Sequence, residues 1–189
     1  MPRSRLTEFE QVLLGMIFSR PATGYDLKRR FATTALGVYQ PSSGALYPAL
    51  GRLERGGLLA SEASPAAGGR PRRLYRLTEA GRQAHLGWLR EPVAAATVAQ
   101  DLGLHLLRFA MMATVLPADA VIGFLASLRA ALAGFVAELE RQVDRAAPGS
   151  RYARLAVEHG LAVHRASLAW AEQAIAELAA SSGSGAGAA

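Results

Sequence analysis

The chain has 189 residues, of which 51% are hydrophobic, with a net charge of +6 and no cysteine. This length allows one domain or two small ones, and the lack of thiols excludes a disulfide framework or a thiolate metal site and fits the reducing cytoplasm. We expect neither a membrane span nor secretion, because no run of about 18 uncharged apolar residues occurs and no apolar segment follows the first arginines.

The first predicted element is a helix. Residues 7–10 have the sequence of a capping box, and apolar residues recur at helical spacing over 9–17. A short turn leads into a second helix that begins at Thr23 or Gly24.

The second helix is basic on its outer side. Lys28, Arg29 and Arg30 are predicted to face mostly solvent. They either contact DNA phosphates or form an ordinary solvated surface. Tyr25 has two interpretations: it packs its ring on the core as a structural residue, or it also offers its hydroxyl to a phosphate.

The third helix, predicted over residues 42–54, has one buried and one exposed face. Leu46, Leu50 and Leu53 form an apolar stripe, and Ser42 or Ser43 supplies the N-cap oxygen. The exposed hydroxyls, bare backbone, phenol and guanidinium suit contacts with phosphates and base edges, although an ordinary solvated helix would look similar. The candidate residues here are Ser42, Ser43, Gly44, Tyr47 and Arg52.

A β-hairpin is predicted after this helix. Gly56 or Gly57 ends the helix in the left-handed conformation, and strands follow at Leu59–Ser64 and Arg72–Leu77, joined by a tip at 65–69. An arginine cluster on the hairpin is typical of a wing that rests on the sugar-phosphate backbone or reaches into the minor groove. A strand edge protected by charge is the alternative. The members of the cluster are Arg70, Arg72, Arg73 and Arg76.

The positive charge is concentrated in the first half of the chain. Residues 1–92 contain 14 Lys and Arg against 7 Asp and Glu, whereas residues 93–189 contain 7 against 8. Clustered cations favour a polyanionic partner for the first half, since neutralising phosphates releases counterions. An arginine-rich surface without a partner is the alternative.

The second half is predicted to form long packed helices. A helix capped by Thr78 ends before Pro92, another begins near Val98, and two longer ones with heptad-like spacing flank a break at 147–149. Two such helices expose apolar stripes on more than one face, which favours a homodimer. Residues 181–189 are predicted to be a disordered tail.

The sequence contains no catalytic constellation, so we expect neither an enzyme nor a cofactor or metal. It lacks a phosphate-binding loop and paired histidines with a metal-binding spacing. A small apolar or aromatic effector is a candidate ligand of the second half, with core and dimer packing as the alternative role for the same residues. The candidate effector residues are His105, Arg108, Phe109, Met111, Met112 and Trp170.

Three motifs resemble those of the PadR family of transcriptional regulators. They are the segments Gly-Tyr-Asp-Leu at 24–27, Ser-Ser-Gly-Ala-Leu-Tyr-Pro-Ala-Leu at 42–50, and Gly-Arg-Pro-Arg-Arg-Leu-Tyr-Arg-Leu-Thr-Glu-Ala-Gly at 69–81. The resemblance implies a dimeric repressor with a winged helix-turn-helix and a helical C-terminal dimerisation region, usually released from DNA by a small molecule. It covers the first half of the chain only.

We therefore expect a mainly α protein. Residues 1–92 form a winged helix-turn-helix DNA-binding domain with a two-stranded wing, and residues 93–180 form a long-helix dimerisation and effector domain. The expected function is sequence-specific binding of double-stranded operator DNA by a cytoplasmic homodimer that regulates transcription, as a repressor relieved by an effector. The alternatives are a small-molecule sensor and a winged-helix protein-interaction module without specific DNA binding.

Overall fold

The structure is a computed structural model that describes residues 6–33, 43–64, 72–113, 115–145 and 151–184. The predicted hairpin tip at 65–69, the predicted helix break at 147–149, and Ser42 and Arg70 of the candidate interface lie outside these residues. The chain divides into two compact units, Met1–Trp88 and Leu89–Ala189, which we describe separately. This division falls within a helix, before the Pro92 at which the sequence places the boundary.

The first unit combines four helices with a small sheet. In chain order its elements are α1 (Glu8–Phe18), β1 (Ala22–Thr23), α2 (Gly24–Thr33), α3 (Ser43–Arg55), β2 (Leu59–Ser64), β3 (Arg72–Leu77) and α4 (Glu79–Arg90). The strand order is β1-β3-β2, and both pairings are antiparallel. The predicted β2 and β3 are confirmed, whereas the wing sheet has a third strand that is too short to produce a sequence period.

The helices begin and end where local side chains satisfy the backbone. Thr7 and Glu10 form the predicted capping box at the start of α1, with each side chain accepting from the other residue's N–H. At the end of α3, Gly57 has φ of 71° and its N–H donates to Glu54 O, while Leu58 N–H donates to Leu53 O. This is a Schellman motif, which only a residue tolerant of positive φ can terminate at low cost.

The core of the first unit lies between α1, α2, α3 and the sheet. Its members are apolar side chains that recur at helical or alternating strand positions and are at most 5% exposed. They include Val12, Leu13, Leu27, Phe31, Leu46, Leu50, Leu53 and Tyr75. The leucine stripe of α3 is thus part of this core, so the opposite side of that helix faces outward.

The second unit consists of helices. A short 3-10 turn at Ala95–Thr97 precedes α5 (Val98–Met112), α6 (Ala118–Arg145) and α7 (Arg151–Ser184). Helix α6 packs along α7 and against α5. Helix α7 continues to Ser184, past the predicted start of a disordered tail at Ser181.

Helix α5 buries a different face from the one its leucines predict. Its spacing favours Leu102 and Leu106 as inward residues, but Leu106 is 38% exposed, and the buried side includes His105 and Arg108. Asp101 has a non-helical φ of −119° and kinks the helix near its start, before the buried residues His105 and Arg108. The inward polar side chains are stabilised by hydrogen bonds, which hydropathy patterns do not reveal.

Helix α6 contains a segment, Ala118–Val143, that is long and apolar enough to cross a membrane by length and composition. Such a segment is weak evidence of a membrane span. Residues Val121, Phe124, Leu125, Leu128 and Leu132 of this helix are buried against other parts of the second unit, as in the core helix of a soluble protein.

Candidate nucleic-acid interface

Helix α3 separates its apolar and polar residues onto two faces. Leu46, Leu50 and Leu53 are at most 1% exposed, whereas Tyr47 is 53% exposed and Gly44 is also exposed. Ser43 is the first residue of the helix, and its side chain is not among those described. The exposed face therefore has the small and hydrogen-bonding groups expected of a helix that reads base edges.

A surface cleft joins α3 to α2 and β3. It has a volume of about 630 Å³ and brings together three tyrosines and two arginines from three separate elements. Its lining residues are Thr23, Gly24, Tyr25, Tyr47, Arg72, Arg73 and Tyr75. Four of the predicted interface residues, Tyr25, Tyr47, Arg72 and Arg73, are thus neighbours in space, although they are far apart in sequence.

Arg72 of β3 lies over the ring of Tyr25. Its guanidinium carbon is 5.1 Å from the ring centroid, and both side chains are exposed, with Tyr25 at 56%. A guanidinium stacked on an aromatic face keeps its N–H groups directed outward in the plane of the fork, where they can bind an oxyanion. The Tyr25 ring is therefore a platform for Arg72 and does not pack in the core.

Arg73 is held by a carboxylate. Its Nη2 donates to Glu54 Oε1 at 2.8 Å, and Ser61 Oγ donates to the same oxygen at 2.7 Å. Because Glu54 is at the end of α3 and Ser61 is on β2, this network connects the helix to the sheet. Burial raises the pKa of the Tyr75 hydroxyl, which keeps this neighbour of Arg73 neutral at physiological pH.

Arg52 connects α3 to α1. Its Nε donates to Glu10 Oε1 at 2.7 Å, and only 7% of the Glu10 side chain is exposed. Burial by itself raises the pKa of Glu10, but hydrogen bonds from Thr7 and Arg52 outweigh it and lower that pKa below 4.5. The sequence reveals Glu10 as a capping residue and does not reveal this ion pair.

Two other predicted cations also have protein partners. Arg76 Nη2 donates to Glu62 Oε1 at 2.6 Å across β2 and β3. Residues 28–30 were predicted to face mostly solvent, and Arg30 is the exception: it is half-buried and its Nη1 donates to Met16 O at 2.7 Å. Lys28 is exposed, as predicted.

The start of α2 has a second reciprocal cap. Thr23 Oγ1 donates to Asp26 Oδ2 at 2.7 Å and accepts from Asp26 N–H at 3.2 Å. Hydrogen bonds from the Thr23 side chain and backbone lower the pKa of Asp26. The cap fixes the position of Gly24 and Tyr25 at the edge of the cleft. The pair Thr23 and Asp26 shows the capping-box spacing in the sequence, which is the signal that locates it.

The candidate effector residues of the second unit have protein partners in the structure. His105 and Arg108 are each 4% exposed: the ring Nε2 of His105 is 2.8 Å from Thr97 Oγ1, and Arg108 Nη2 donates to Glu91 O at 2.6 Å. Burial, together with the nearby Arg108 charge, lowers the pKa of His105.

Of the other candidate effector residues, two aromatic side chains contact each other and one methionine lies in the core. Phe109 and Trp170 meet edge to face with ring centroids 5.3 Å apart, whereas Met112 is fully buried. Packing thus accounts for Phe109, Met112 and Trp170. Among the described residues there is no group of three or more His, Cys, Asp or Glu that could hold a metal ion.

The first unit has the architecture of a winged helix-turn-helix DNA-binding domain. Helix α2, the connection to α3 and the β2-β3 hairpin follow in the order that this class requires, and α3 exposes the face that such domains place in the major groove. Residues 13–85 match the transcriptional regulator PadR-like family. Residues 106–179 match a second family, described as virulence activator alpha C-term. The PadR-like match covers most of the winged-helix domain and does not extend into the second unit.

Individual relatives are similar over different shares of the chain. The transcriptional regulator Rv3488 of Mycobacterium tuberculosis is 56% identical over 46 residues, which are 24% of this chain and 42% of that protein. A crystal structure of Bacillus subtilis PadR in complex with operator DNA aligns with a TM-score of 0.45 and 16% identity over 93% of this chain and 99% of that one. The PadR-like regulator BC1756 of Bacillus cereus aligns with a TM-score of 0.42 and 19% identity over 94% and 99%.

Proposed function

We propose that this protein is a cytoplasmic, homodimeric repressor that binds operator DNA with α3 in the major groove and the β2-β3 wing on the flanking backbone. The observation that supports this most is the cleft in which Tyr47 of α3, Tyr25 of α2 and Arg72 of β3 are neighbours. One surface thus combines a helix with hydrogen-bonding groups and a cation on the adjacent strand, as major-groove readout with backbone anchoring requires.

Within this proposal the side chains have different roles. Tyr47 and Gly44 provide specificity because they lie on the exposed side of α3, opposite the buried leucine stripe. Ser43, the first residue of the same helix, is proposed to act with them. Arg72 provides phosphate contact, together with Lys28. Arg52 and Arg73 orient α3 through Glu10 and Glu54, which reduces their contribution to the net charge of the surface.

The second unit supports a homodimer. Helix α7 exposes Tyr152, Leu155 and Val163 at 83%, 47% and 40%, although the same helix packs on α6 along its other side. A second copy of this chain is the proposed occupant of that apolar face, because a two-fold dimer places two winged helices on the two half-sites of an operator. In sedimentation experiments Leu155→Glu is expected to shift the protein toward monomer, whereas Leu106→Glu, the same change at an exposed leucine of α5, is not.

We also propose that an apolar or aromatic effector binds the second unit and relieves repression. Phe109 and Trp170 connect α5 to α7, so a ligand that displaces one ring from this edge-to-face contact would alter the packing of the second unit. Calorimetry with a panel of aromatic acids tests this part. Binding that Trp170→Ala abolishes supports it, and binding of no compound in the panel contradicts it.

A mobility-shift experiment tests the proposed DNA binding. The full chain is titrated with a duplex from the region upstream of its own gene and with a random duplex of equal length, at two salt concentrations. We expect tighter binding of the upstream duplex, and we expect Tyr47→Ala to remove this preference while binding of the random duplex persists. Equal affinity of the unaltered protein for both duplexes would contradict the proposal and favour a protein-interaction module.

A further inference from the structure

Gly24 lies against the outer edge of the Tyr47 ring. A Cβ atom added to Gly24 would be 2.6 Å from Tyr47 Cε1 and 3.2 Å from both Cζ and Oη. Real Cβ atoms essentially never approach another heavy atom closer than 3.0 Å. The ring can therefore occupy its observed position only if residue 24 has no side chain.

The backbone does not by itself require glycine at this position. Gly24 is the first residue of α2, and Gly57 is the only described glycine with positive φ. A residue with a side chain could adopt the same backbone conformation, and alanine has the higher helix propensity. What glycine provides here is space for an aromatic ring that belongs to another helix.

Tyr47 is constrained on one side and open on the other. It is 53% exposed, yet its ring edge contacts α2 at Gly24, and Arg72, Arg73 and Tyr75 line the same cleft. A side chain with two rotatable bonds that rests on a backbone loses few conformations when it binds a ligand. Its hydroxyl is thus held at a defined place on the exposed face.

We infer that Gly24 is a positioning residue for sequence-specific DNA recognition, because it determines the rotamer in which Tyr47 is presented. This inference rests on the proposed operator binding and assigns the control of its specificity to a residue outside α3. A methyl group at position 24 would displace the ring toward solvent or rotate it out of the cleft. The DNA-reading surface would then change although no side chain on α3 had been altered.

The test compares Gly24→Ala with Gly87→Ala. Both changes add one methyl group to a helix of the first unit, but a Cβ at Gly87 would have no heavy atom within 4 Å. We expect Gly24→Ala to weaken binding of the upstream duplex about fivefold or more relative to the random duplex, and Gly87→Ala to leave both affinities unchanged. In a Tyr47→Ala background, Gly24→Ala is expected to have no further effect, since the contact is already absent.

A second readout separates positioning from a general loss of structure. With ring-labelled tyrosine, the unaltered protein should show a nuclear Overhauser effect between the Gly24 Hα protons and the Tyr47 ring. Gly24→Ala should shift the Tyr47 ring resonances and leave those of Tyr152 in place. If Gly24→Ala fails to fold, the inference requires that Gly24→Ala/Tyr47→Ala recover a folded protein.

The outcomes distinguish this inference from the proposed function. If the unaltered protein prefers the upstream duplex and Gly24→Ala keeps that preference, the inference is wrong and the proposed function stands. If the Overhauser effect is absent, or the double variant does not recover folding, the inference is also wrong. If the unaltered protein shows no preference between the duplexes, the proposed function fails and the inference fails with it.

Discussion

The Nε of Arg52 and the carboxylate of Glu10 form an ion pair 2.7 Å long that holds α3 against α1. The same carboxylate accepts the Thr7 N–H at the start of α1, so one buried group caps the first helix and orients the third. A residue predicted to contact DNA is therefore also part of the scaffold. The two roles of Arg52 can be separated by experiments on stability and on binding.

We predict that Glu10→Gln lowers the free energy of unfolding by about 1 kcal/mol at pH 7, because the charge-assisted part of both hydrogen bonds is lost. The pKa of Glu10 is lowered from 4.5 in the folded state, so its charge stabilises the fold above that pH and ceases to do so as the pH falls through the folded value. Urea denaturation at pH 7 and pH 3 measures the difference between the variant and the unaltered protein. This difference in unfolding free energy should be smaller at pH 3 than at pH 7.

The matched control for this prediction is Glu8→Gln, which removes an exposed acidic residue from the same helical turn. It is expected to change the unfolding free energy by a few tenths of a kcal/mol through the helix dipole. A destabilisation equal to that of Glu10→Gln would contradict the special role of the ion pair with Arg52.

The wing arginines should account for part of the salt dependence of DNA binding. Each phosphate contact contributes about 0.9 to the slope of log affinity against log salt, so Arg72→Ala/Arg73→Ala is expected to reduce that slope by roughly one to two units. Because Glu54 already pairs with Arg73, we expect Arg72→Ala alone to produce most of the change. The measurement is the affinity for the upstream duplex between 50 and 200 mM salt, a range over which such slopes are resolved.

Arg154→Ala is the control for the wing prediction, since it removes the same charge from an exposed position on α7. Its slope should equal that of the unaltered protein. An unchanged slope in the double wing variant would show that β3 does not contact the phosphates.

The ring of Tyr25, and not its hydroxyl, is expected to support Arg72. Tyr25→Phe keeps the aromatic face on which the guanidinium rests 5.1 Å from the centroid, whereas Tyr25→Ala removes it. An exposed cation-π contact of about 0.5–1 kcal/mol corresponds to a two- to fivefold loss of affinity in Tyr25→Ala and to little change in Tyr25→Phe. Equal losses in both variants, measured by fluorescence anisotropy, would instead assign the effect to the hydroxyl.

Protonation of His85 should destabilise the winged helix in acid. The ring is 1% exposed between Phe18 and Trp88, at centroid distances of 5.5 and 5.8 Å, and the guanidinium of Arg82 lies over the Phe18 ring. Burial lowers the pKa of His85 from 6.5 to about 4. Its neutral form therefore supports full stability above pH 6.5, and this stability decreases as the pH falls from 6.5 to about 4.

The decrease amounts to about 3 kcal/mol, because each unit of pKa difference is worth about 1.4 kcal/mol. His85→Phe, which keeps an aromatic ring in the same place, should remove this decrease in urea denaturation series at successive pH values. His159→Phe changes an exposed histidine of α7 and should retain it. A pH dependence unaffected by His85→Phe would assign the acid sensitivity to other groups.

The sequence by itself determined the elements whose causes are local. Strands β2 and β3 begin and end at the predicted residues, and the α1 capping box and the leucine stripe of α3 are confirmed, because capping, turns and periodicity involve neighbours within a few residues. The PadR-like domain could be identified for the same reason, since its motifs are short and continuous. Strand β1 was missed because two residues show no period.

Only the tertiary structure decided which side chains meet. The sequence marks Arg52, Arg72 and Arg73 as one class of exposed cation, yet they rest on Glu10, Tyr25 and Glu54 respectively, through contacts between distant segments. His105 and Arg108 are buried, and they have the Thr97 hydroxyl and the Glu91 carbonyl as partners, which lie outside α5. The closeness of Gly24 to Tyr47 exists only once α2 and α3 have packed. Such pairings join residues that are distant in sequence. Composition, charge and local spacing therefore do not predict them.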